Sequence, residues 1–426
     1  MAIPVNEKSE RIVVVGQGYV GLPLAMRAVE VGFDVVGLDV SESRVADLAA
    51  GRSYIEDVPD GQLRAALTSG HYVPTADYQD TAGFSVAVIT VPTPLRDRSP
   101  DVSFIAEAGR QLSPHVTPGS LIVLESTTYP GTTEDLLRPV LEAGSGLAAG
   151  EDFLLAYSPE RIDPGNTEWN LETTPKIVAG LDQRSLNAAA AFYGKITHQV
   201  VPVSTLRAAE CTKLLENTYR HVNIALVNEL AIFARELGVD IWEVIDAAAT
   251  KPFGFMRFTP GPGVGGHCLP IDPAYLSWHV KQATGRNFRL VELACDVNEH
   301  MPDYVVQRVT LALNARQKPV RGSSILVVGL AYKKNSSDAR ESPATRVVEL
   351  LGELGARVSA ADALVNPRHL AGQAERVEIT APLLAETDAV LLLTSHDDVD
   401  YDLIQQSAPW VLDCCHRLRG ANIEHL

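Results

Sequence analysis

The stretch RIVVVGQGYVGLPLAMRAVEVGFDVVGLD, Arg11 to Asp39, decides the fold. The β-branched run Arg11–Val15 predicts a buried strand, the apolar spacing of Val20–Val31 a helix, and Phe33–Asp39 a second strand. Between the first strand and the helix lies Gly16-Gln17-Gly18-Tyr19-Val20-Gly21, and Asp39 follows eighteen residues beyond Gly21. In such a fingerprint Gly16 permits the tight turn, Gly18 lets backbone approach a pyrophosphate seated on the helix N-terminus, and Gly21 lets helix and strand pack closely. Asp39 would accept from the ribose hydroxyls and repel a 2′-phosphate, so the expected cofactor is NAD. Arg44, five residues on, is the one nearby cation able to meet a phosphate, although a solvated helix arginine also describes it.

Outward from this unit the strand and helix alternation continues through Phe84–Val91 and Leu121–Glu125, with short strands near Lys176–Ala179 and Gln199–Val203. Alternation of this kind implies right-handed crossovers and a parallel sheet covered on both faces. From Thr205 the pattern becomes helical: Ala208–Leu237, Ile241–Thr250 and Leu290–Ala315. An apolar stripe through Leu214, Leu215, Tyr219, Val222, Leu226 and Leu230 is either intramolecular core or the interface with a second copy. Alternation resumes at Ser323, with strands at Ser324–Leu330, Arg357–Ala360, Ala389–Thr394 and Trp410–Leu412 and a helix over Pro343–Leu354. The expected architecture is α/β: two Rossmann-like doubly wound parallel-sheet domains, 1–203 and 318–426, joined by a central helical domain, 204–317.

Composition agrees with three units, since 426 residues at roughly 150 per domain exceed a single core. Hydrophobic residues make up 46% and charged residues 21%, which excludes disorder, collagen and coiled coil. A net charge of −17 argues against nucleic acid or an acidic membrane as partner, so phosphate-bearing ligands must be held locally by helix N-termini, glycine turns and a few cations. Cys211, Cys268, Cys295, Cys414 and Cys415 form no CxxC pair, which predicts reduced thiols and neither a disulfide framework nor a metal site. No secretory pattern and no membrane-spanning run is present, and the expected location is the cytoplasm.

Four glycines and three prolines between Pro260 and Pro270 make a shaped loop that carries one thiol, Cys268, with Asp272 four residues later. Lys213 and Asn217 share a face of the long predicted helix, so an amine and an amide can be presented to one substrate atom. Glu125-Ser126-Thr127-Thr128-Tyr129-Pro130-Gly131 and Tyr157-Ser158-Pro159-Glu160-Arg161 follow strands at the edge where doubly wound sheets bind ligands.

GQGYVGLPLA, VPTP, ESTTYPGTT, YSPERIDPG, ECTKLLENTYRHVNIALVNE, PGPGVGGHCLPIDP and GLAYKKNSSDARESP, in this order, resemble the nucleotide-sugar 6-dehydrogenases, the family of UDP-glucose, UDP-N-acetylhexosamine and GDP-mannose dehydrogenases. The resemblance runs from Arg11 to about Asp413. It implies oxidation of the C6 hydroxymethyl of a nucleotide-linked hexose to a carboxylate, with two NAD reduced per sugar, through a thiohemiacetal and then a thioester on Cys268. It further implies that Lys213 and Asn217 stabilise the oxyanion, that Lys213 or Asp272 handles protons, and that Thr127, Glu160 and Asp272 position water. Gly16, Gly18, Tyr19, Val20, Gly21, Asp39, Arg44, Thr93 and Thr127 would hold NAD. Glu160, Arg161, Lys213, Asn217, Gly265, Tyr332 and Lys333 would hold the nucleotide sugar, with Tyr332 stacking on the base and Lys333 or Lys334 near the phosphates. Asp338, Arg340, Glu341 and Ser342 would brace the domain junction, and the chain would form a homodimer or higher homo-oligomer.

One departure concerns Asp413-Cys414-Cys415-His416-Arg417, where relatives place an arginine sooner after the aspartate. It leaves UDP and TDP both open; the sugar, glucose or N-acetylhexosamine, is open as well, although SPERIDPG and PGPGVGGHC look more like the N-acetylhexosamine branch. A single-step NAD-dependent β-hydroxyacid dehydrogenase shares the first domain and a Lys-x-x-x-Asn pair but has no use for the Cys268 loop or the third domain. A non-catalytic NAD-binding dimer would have no use for cysteine, lysine, asparagine and aspartate together.

Overall fold

The computed structural model describes residues 10–96, 99–162, 166, 168–266, 269–366 and 374–426. The chain divides into two compact units, 1–216 and 217–426.

In the first unit eight strands form one sheet: β1 Arg11–Val15, β2 Asp34–Leu38, β3 Tyr72–Thr75, β4 Val86–Ile89, β5 Leu121–Leu124, β6 Leu154–Tyr157, β7 Lys176–Gly180 and β8 Val200–Pro202, in the order β8-β7-β6-β5-β4-β1-β2-β3. Strand order reverses between β1 and β4, which is the switch point where the carboxyl ends open a crevice. All pairings are parallel except β6 with β7. Successive residues of β1 point to opposite faces and both faces are buried: Ile12 and Val14 pack with Leu22 and Ala25 of helix α1 (Gly21–Glu30), whereas Val13 and Val15 pack with Ile105 and Leu112. Helix α2 (Gln183–Ile196) contributes Phe192 and Tyr193 to the first of these clusters.

Helix α3 (Leu206–Glu236) passes from one unit into the other. In the second unit it is followed by α4 (Ile241–Ala249), α5 (Asp272–Thr284), α6 (Arg289–Glu299) and α7 (Met301–Ala315). The single helix expected over Leu290–Ala315 is in fact two, divided at His300, because Pro302 lacks an N–H and is tolerated only in a first turn. A second sheet, all parallel, runs β11-β10-β9-β12-β13-β14, comprising β9 Ser324–Val328, β10 Arg357–Ala361, β11 Glu375–Arg376, β12 Ala389–Leu392, β13 Val411–Asp413 and β14 Ile423–His425. Its switch point lies between β9 and β12, and helix α8 (Pro343–Glu353) packs Val347 and Leu351 on Ile325 and Val327. The fold class is the one expected: two doubly wound sheets with a helical region between them in sequence.

Candidate functional site

At the first switch point Gly16 has φ +95°, and a Cβ there would meet the Thr90 carbonyl oxygen at 2.8 Å. A Cβ on Gly21 would lie 1.8 Å from the Gly16 oxygen, so both glycines are required by close approach of β1, α1 and β4. A Cβ on Gly18 would meet nothing within 4 Å, so the helix N-terminus faces open space there. Tyr19 and Val20 are half-buried beside it. Asp39 is buried, with Oδ2 accepting from Gln17 N at 3.0 Å and Oδ1 from Ser41 N at 2.9 Å. Arg44 stands 3.5 Å from Oδ2 and half exposed. A carboxylate has about four acceptor positions, so Asp39 retains capacity for a sugar hydroxyl. The residues fit NAD on these grounds: open space at Gly18, a helix N-terminus for phosphate and a fixed acceptor at Asp39.

Gln17, to which the fingerprint assigns no role, is fully buried, donates from Nε2 to the Val14 carbonyl and accepts the Tyr72 hydroxyl at 2.8 Å. Tyr54 donates to the Gln17 carbonyl at 2.6 Å. A Cβ at Gly37 would strike the Tyr72 hydroxyl at 2.5 Å, so the small residue in β2 makes room for this clamp. Only that Gly37 hinted at it in the sequence.

Thr93 is buried in the loop after β4, and Thr127 is half-buried after β5. The two loops are tied by Ser126 Oγ, which donates to the Val91 carbonyl at 2.7 Å. After β6, Glu160 Oε1 accepts from Arg161 N and Ile162 N at 2.6 and 2.8 Å, and Lys176 Nζ lies 2.7 Å from Oε2. The Arg161 guanidinium holds Glu216 of α3 through Nε and Nη2, and donates from Nη1 to the Pro175 carbonyl at 2.6 Å. Lys213, half-buried, occupies the turn of α3 preceding Glu216.

In the second unit Asn217 Nδ2 donates to Asp272 Oδ2 in a short hydrogen bond, so two residues fifty-five apart in sequence meet. Asp272 is buried and opens α5. His267 and Cys268 lie outside the described residues, but the loop leading to them is anchored on both sides. Gly261 N donates to Asn228 Oδ1 of α3 at 2.9 Å, and Asn228 Nδ2 donates to Asn298 Oδ1 of α6. Gly266 N donates to the Arg340 carbonyl. A Cβ on Gly265 would fall 2.7 Å from Tyr332 Cβ, and one on Gly266 2.8 Å from its ring, so the two glycines let Tyr332 lie against the loop. His221, whose carbonyl accepts from Asn298, is held neutral by burial, its imidazole pushed down to about 4. The sequence marked none of Asn228, Asn298 and His221, because buried amides on helices leave no periodic signature.

The second switch point repeats the first with a difference. Gly329 has φ +83°, and its Cβ would meet the Thr394 oxygen at 2.2 Å, as Gly16 would meet Thr90. Asp362 stands where Asp39 stands, one residue past the second strand of its sheet, but it is saturated. Oδ1 accepts from Leu364 N and Val365 N; Oδ2 accepts from Leu330 N, Ala331 N and His396 Nε2. Burial opposes its charge, yet the bonds from His396 and the backbone hold its carboxyl well below the usual range. Nothing is left on it for a ribose. Tyr332 and Lys333 are half-buried in the loop after β9, and Lys334 pairs with Asp397 at 2.6 Å. Asp338 pairs with Arg340, and Ser342 caps α8.

At the departure, Asp413 is buried and accepts from Cys415 N, Arg417 N and Leu418 N. Burial pushes the Cys415 thiol up to about 12 and Cys414 well above its usual value, so neither is a nucleophile. The Arg417 guanidinium lies 5.1 Å from the Tyr401 ring centroid.

Comparison with known proteins adds the following. Residues 10–197 match the NAD binding domain of the UDP-glucose/GDP-mannose dehydrogenase family, residues 207–300 its central domain and residues 326–419 its UDP binding domain. The chain is 36% identical over 389 residues to the UDP-N-acetyl-D-mannosamine dehydrogenase of Pyrococcus horikoshii, covering 91% of this chain and 90% of that one. It is 35% identical over 398 residues to the UDP-N-acetyl-D-glucosamine 6-dehydrogenase of Pseudomonas aeruginosa, covering 92% of each. A solved structure of UDP-D-ManNAc dehydrogenase from Pyrococcus horikoshii superposes with a TM-score of 0.89 at 33% identity, over 97% of this chain and 98% of that one.

Proposed function

The chain belongs to the UDP-glucose/GDP-mannose dehydrogenase family, an NAD-dependent oxidoreductase acting on nucleotide sugars, and from this premise we propose that it oxidises C6 of a UDP-linked N-acetylhexosamine to the carboxylate in two steps. The observation that carries the reading is the Asn217–Asp272 hydrogen bond, which joins the helix face bearing Lys213 to the residue that follows the Cys268 loop. The names of the relatives support an N-acetylated sugar, and the match to a UDP binding domain supports UDP over TDP.

NAD, when bound, accepts hydride from the sugar carbon. Gly16, Gly18, Tyr19, Val20 and Gly21 would seat its pyrophosphate, Asp39 its ribose, with Arg44, Thr93 and Thr127 around it. Lys213 or Asp272 takes the C6 hydroxyl proton. The Cys268 thiolate adds to the aldehyde carbon, Lys213 and Asn217 stabilise the resulting oxyanion, and its collapse with loss of a second hydride leaves a thioester. Thr127, Glu160 and Asp272 then orient the water that releases the acid. Tyr332, Lys333 and Gly265 hold the nucleotide, and Arg161 fixes the turn carrying Glu160. The functional parts are 1–203, 204–317 and 318–426, each of which contains one of the matched family segments. No described helix is long and apolar enough to cross a membrane, and four cysteines are free thiols, which supports a reducing compartment, the cytoplasm.

A panel of UDP-N-acetylglucosamine, UDP-N-acetylmannosamine, UDP-glucose and TDP-glucose with NAD tests this. An N-acetyl sugar is expected to give kcat/KM at least about tenfold above UDP-glucose, the discrimination a shaped pocket supplies, with two NADH per sugar. Preference for UDP-glucose or TDP-glucose overturns the substrate, and one NADH per sugar overturns the two-step chemistry.

The stripe on α3 supports self-association. Leu214 is buried, but Leu215, Tyr219, Leu226 and Leu230 are exposed, and Phe233 and Leu237 extend the same face. An apolar row this long on one helix calls for a partner, and a second copy presenting the same row is self-complementary. Leu226→Lys combined with Leu230→Lys is expected to shift the sedimentation of the enzyme from dimer to monomer; an unchanged sedimentation coefficient would count against this face.

A further inference from the structure

Three charged side chains are buried together at the ligand edge of the first sheet, away from the fingerprint. Glu125 follows β5, Glu160 follows β6, and Lys176 is the first residue of β7. Lys176 Nζ lies 3.0 Å from Glu125 Oε1 and 2.7 Å from Glu160 Oε2, with the lysine and Glu125 almost wholly shielded from solvent. Tyr193 of α2 donates to the same Glu125 oxygen at 2.5 Å. A parallel strand would bring its last residue to this edge. Because β7 runs antiparallel to its neighbour β6, it brings its first residue, and that residue is a lysine.

Such a cluster is a poor way to gain stability. Two carboxylates face one ammonium, Glu125 Oε2 has no hydrogen-bond partner among the described residues, and well-packed apolar side chains of similar volume often serve a fold as well or better. Burial works against the charge of both acids. For Glu160, Lys176 and the backbone N–H groups of Ile162 and Arg161 prevail and hold its carboxyl below the usual range, whereas Glu125 is pushed up. What the cluster secures is one ionised carboxylate, Glu160, pinned at both oxygens.

We propose that Lys176, itself held by Glu125 and Tyr193, is a positioning residue that keeps Glu160 ionised and fixed for orienting the hydrolytic water. This rests on the two-step reading above, in which the last step adds a water oxygen to the acyl carbon, breaks the C–S bond, returns the thiolate to Cys268 and releases the water protons as the carboxylate forms. Lys176 therefore acts on acyl release, and not on binding of sugar or cofactor or on either oxidation.

The test uses the full-length enzyme with NAD and the best sugar of the panel. Wild type must give two NADH per sugar without an accumulating adduct; failure here overturns the two-step reading, not this assignment. Lys176→Met is expected to give a rapid burst of two NADH per site, then a steady-state rate about 100-fold lower, the low end of the loss when an acid–base group is compromised. The acyl adduct on Cys268 should appear by intact mass, and both KM values should fall along with kcat so that kcat/KM changes by less than about threefold, as expected when only a step after acylation is slowed. Lys176→Arg should restore most of the rate. Glu125→Gln, which preserves shape, should show the same adduct with a smaller loss and carries the test if Lys176→Met does not fold. A lost rate without adduct, a raised KM, absence of rescue by arginine, or failure of both neutral variants to fold overturns the assignment.

Discussion

Cys268→Ala is expected to abolish formation of the uronic acid while leaving NAD binding intact. The loop that carries Cys268 is built at the cost of regular structure. Gly263 has φ +136°, its Cβ would crowd Pro343 and the Asn298 carbonyl, and Gly265 and Gly266 are kept bare by Tyr332. Asn228 anchors the loop on one side and the Arg340 carbonyl on the other. Three of the described cysteines are unsuited as nucleophiles: burial pushes Cys295 up to about 11, Cys415 up to about 12 and Cys414 well above its usual value. Loss of a nucleophile should lower acid formation by at least about a thousandfold. Any NADH still produced should not exceed one per sugar, since the first oxidation does not use sulfur. The proposed NAD cradle lies within residues 16–44 and the loops after β4 and β5, so affinity for NAD by calorimetry should be unchanged. A Cys268→Ala enzyme that still makes acid at the normal rate would sink the covalent route.

The first βαβ unit was legible because every residue in it states a backbone requirement: β-branched residues for a strand buried on both faces, glycines where Cβ atoms would collide, an aspartate at a strand end. Edge and polar features were not. β3, Tyr72–Thr75, escaped because it is four residues long, contains Pro74 and lies at the sheet edge, where a missing donor is tolerated. Helix α5 escaped because it follows a glycine-rich loop and has little apolar periodicity, with Pro273 in its first turn. The Glu125–Lys176–Glu160 cluster left no trace at all. Glu125 and Lys176 read as strand ends and Glu160 as a site residue, and nothing in the sequence links the three until the antiparallel β7 brings them together.

The second switch point shows how one architecture serves two ligands. Gly16 and Gly329 make the same turn against Thr90 and Thr394, and Asp39 and Asp362 stand at matching strand ends. Asp39 keeps acceptor capacity, whereas Asp362 spends five contacts on its own loop and on His396, whose Nδ1 accepts from Asn335 N at 2.9 Å. With its acid fully engaged and the second and third glycines absent, the second site lacks the means to hold NAD by its ribose and pyrophosphate. The two aspartates differ in how many contacts they accept within the chain, which sequence alone could not show.

Asp272→Asn is expected to lower kcat by about 10²- to 10³-fold, the usual loss on removing a positioned proton acceptor, with KM for sugar and NAD within about threefold. Asp272 is buried at the first turn of α5, where the helix dipole favours a negative charge, and it accepts from Asn217 Nδ2. The bond fixes the orientation of the Asn217 amide relative to the Asp272 carboxylate. Asparagine at 272 can still accept through its carbonyl, so the fold and the contact survive while the charge is lost. The swap variant, Asn217→Asp with Asp272→Asn, separates contact from chemistry, since it restores a carboxylate and an amide in reversed order. If chemistry requires the carboxylate on the Cys268 side, the swap should fold and bind NAD normally yet stay as slow as Asp272→Asn. Recovery of kcat in the swap would mean that the pair is only a brace, and an Asp272→Asn enzyme within threefold of wild type would remove Asp272 from the proton path.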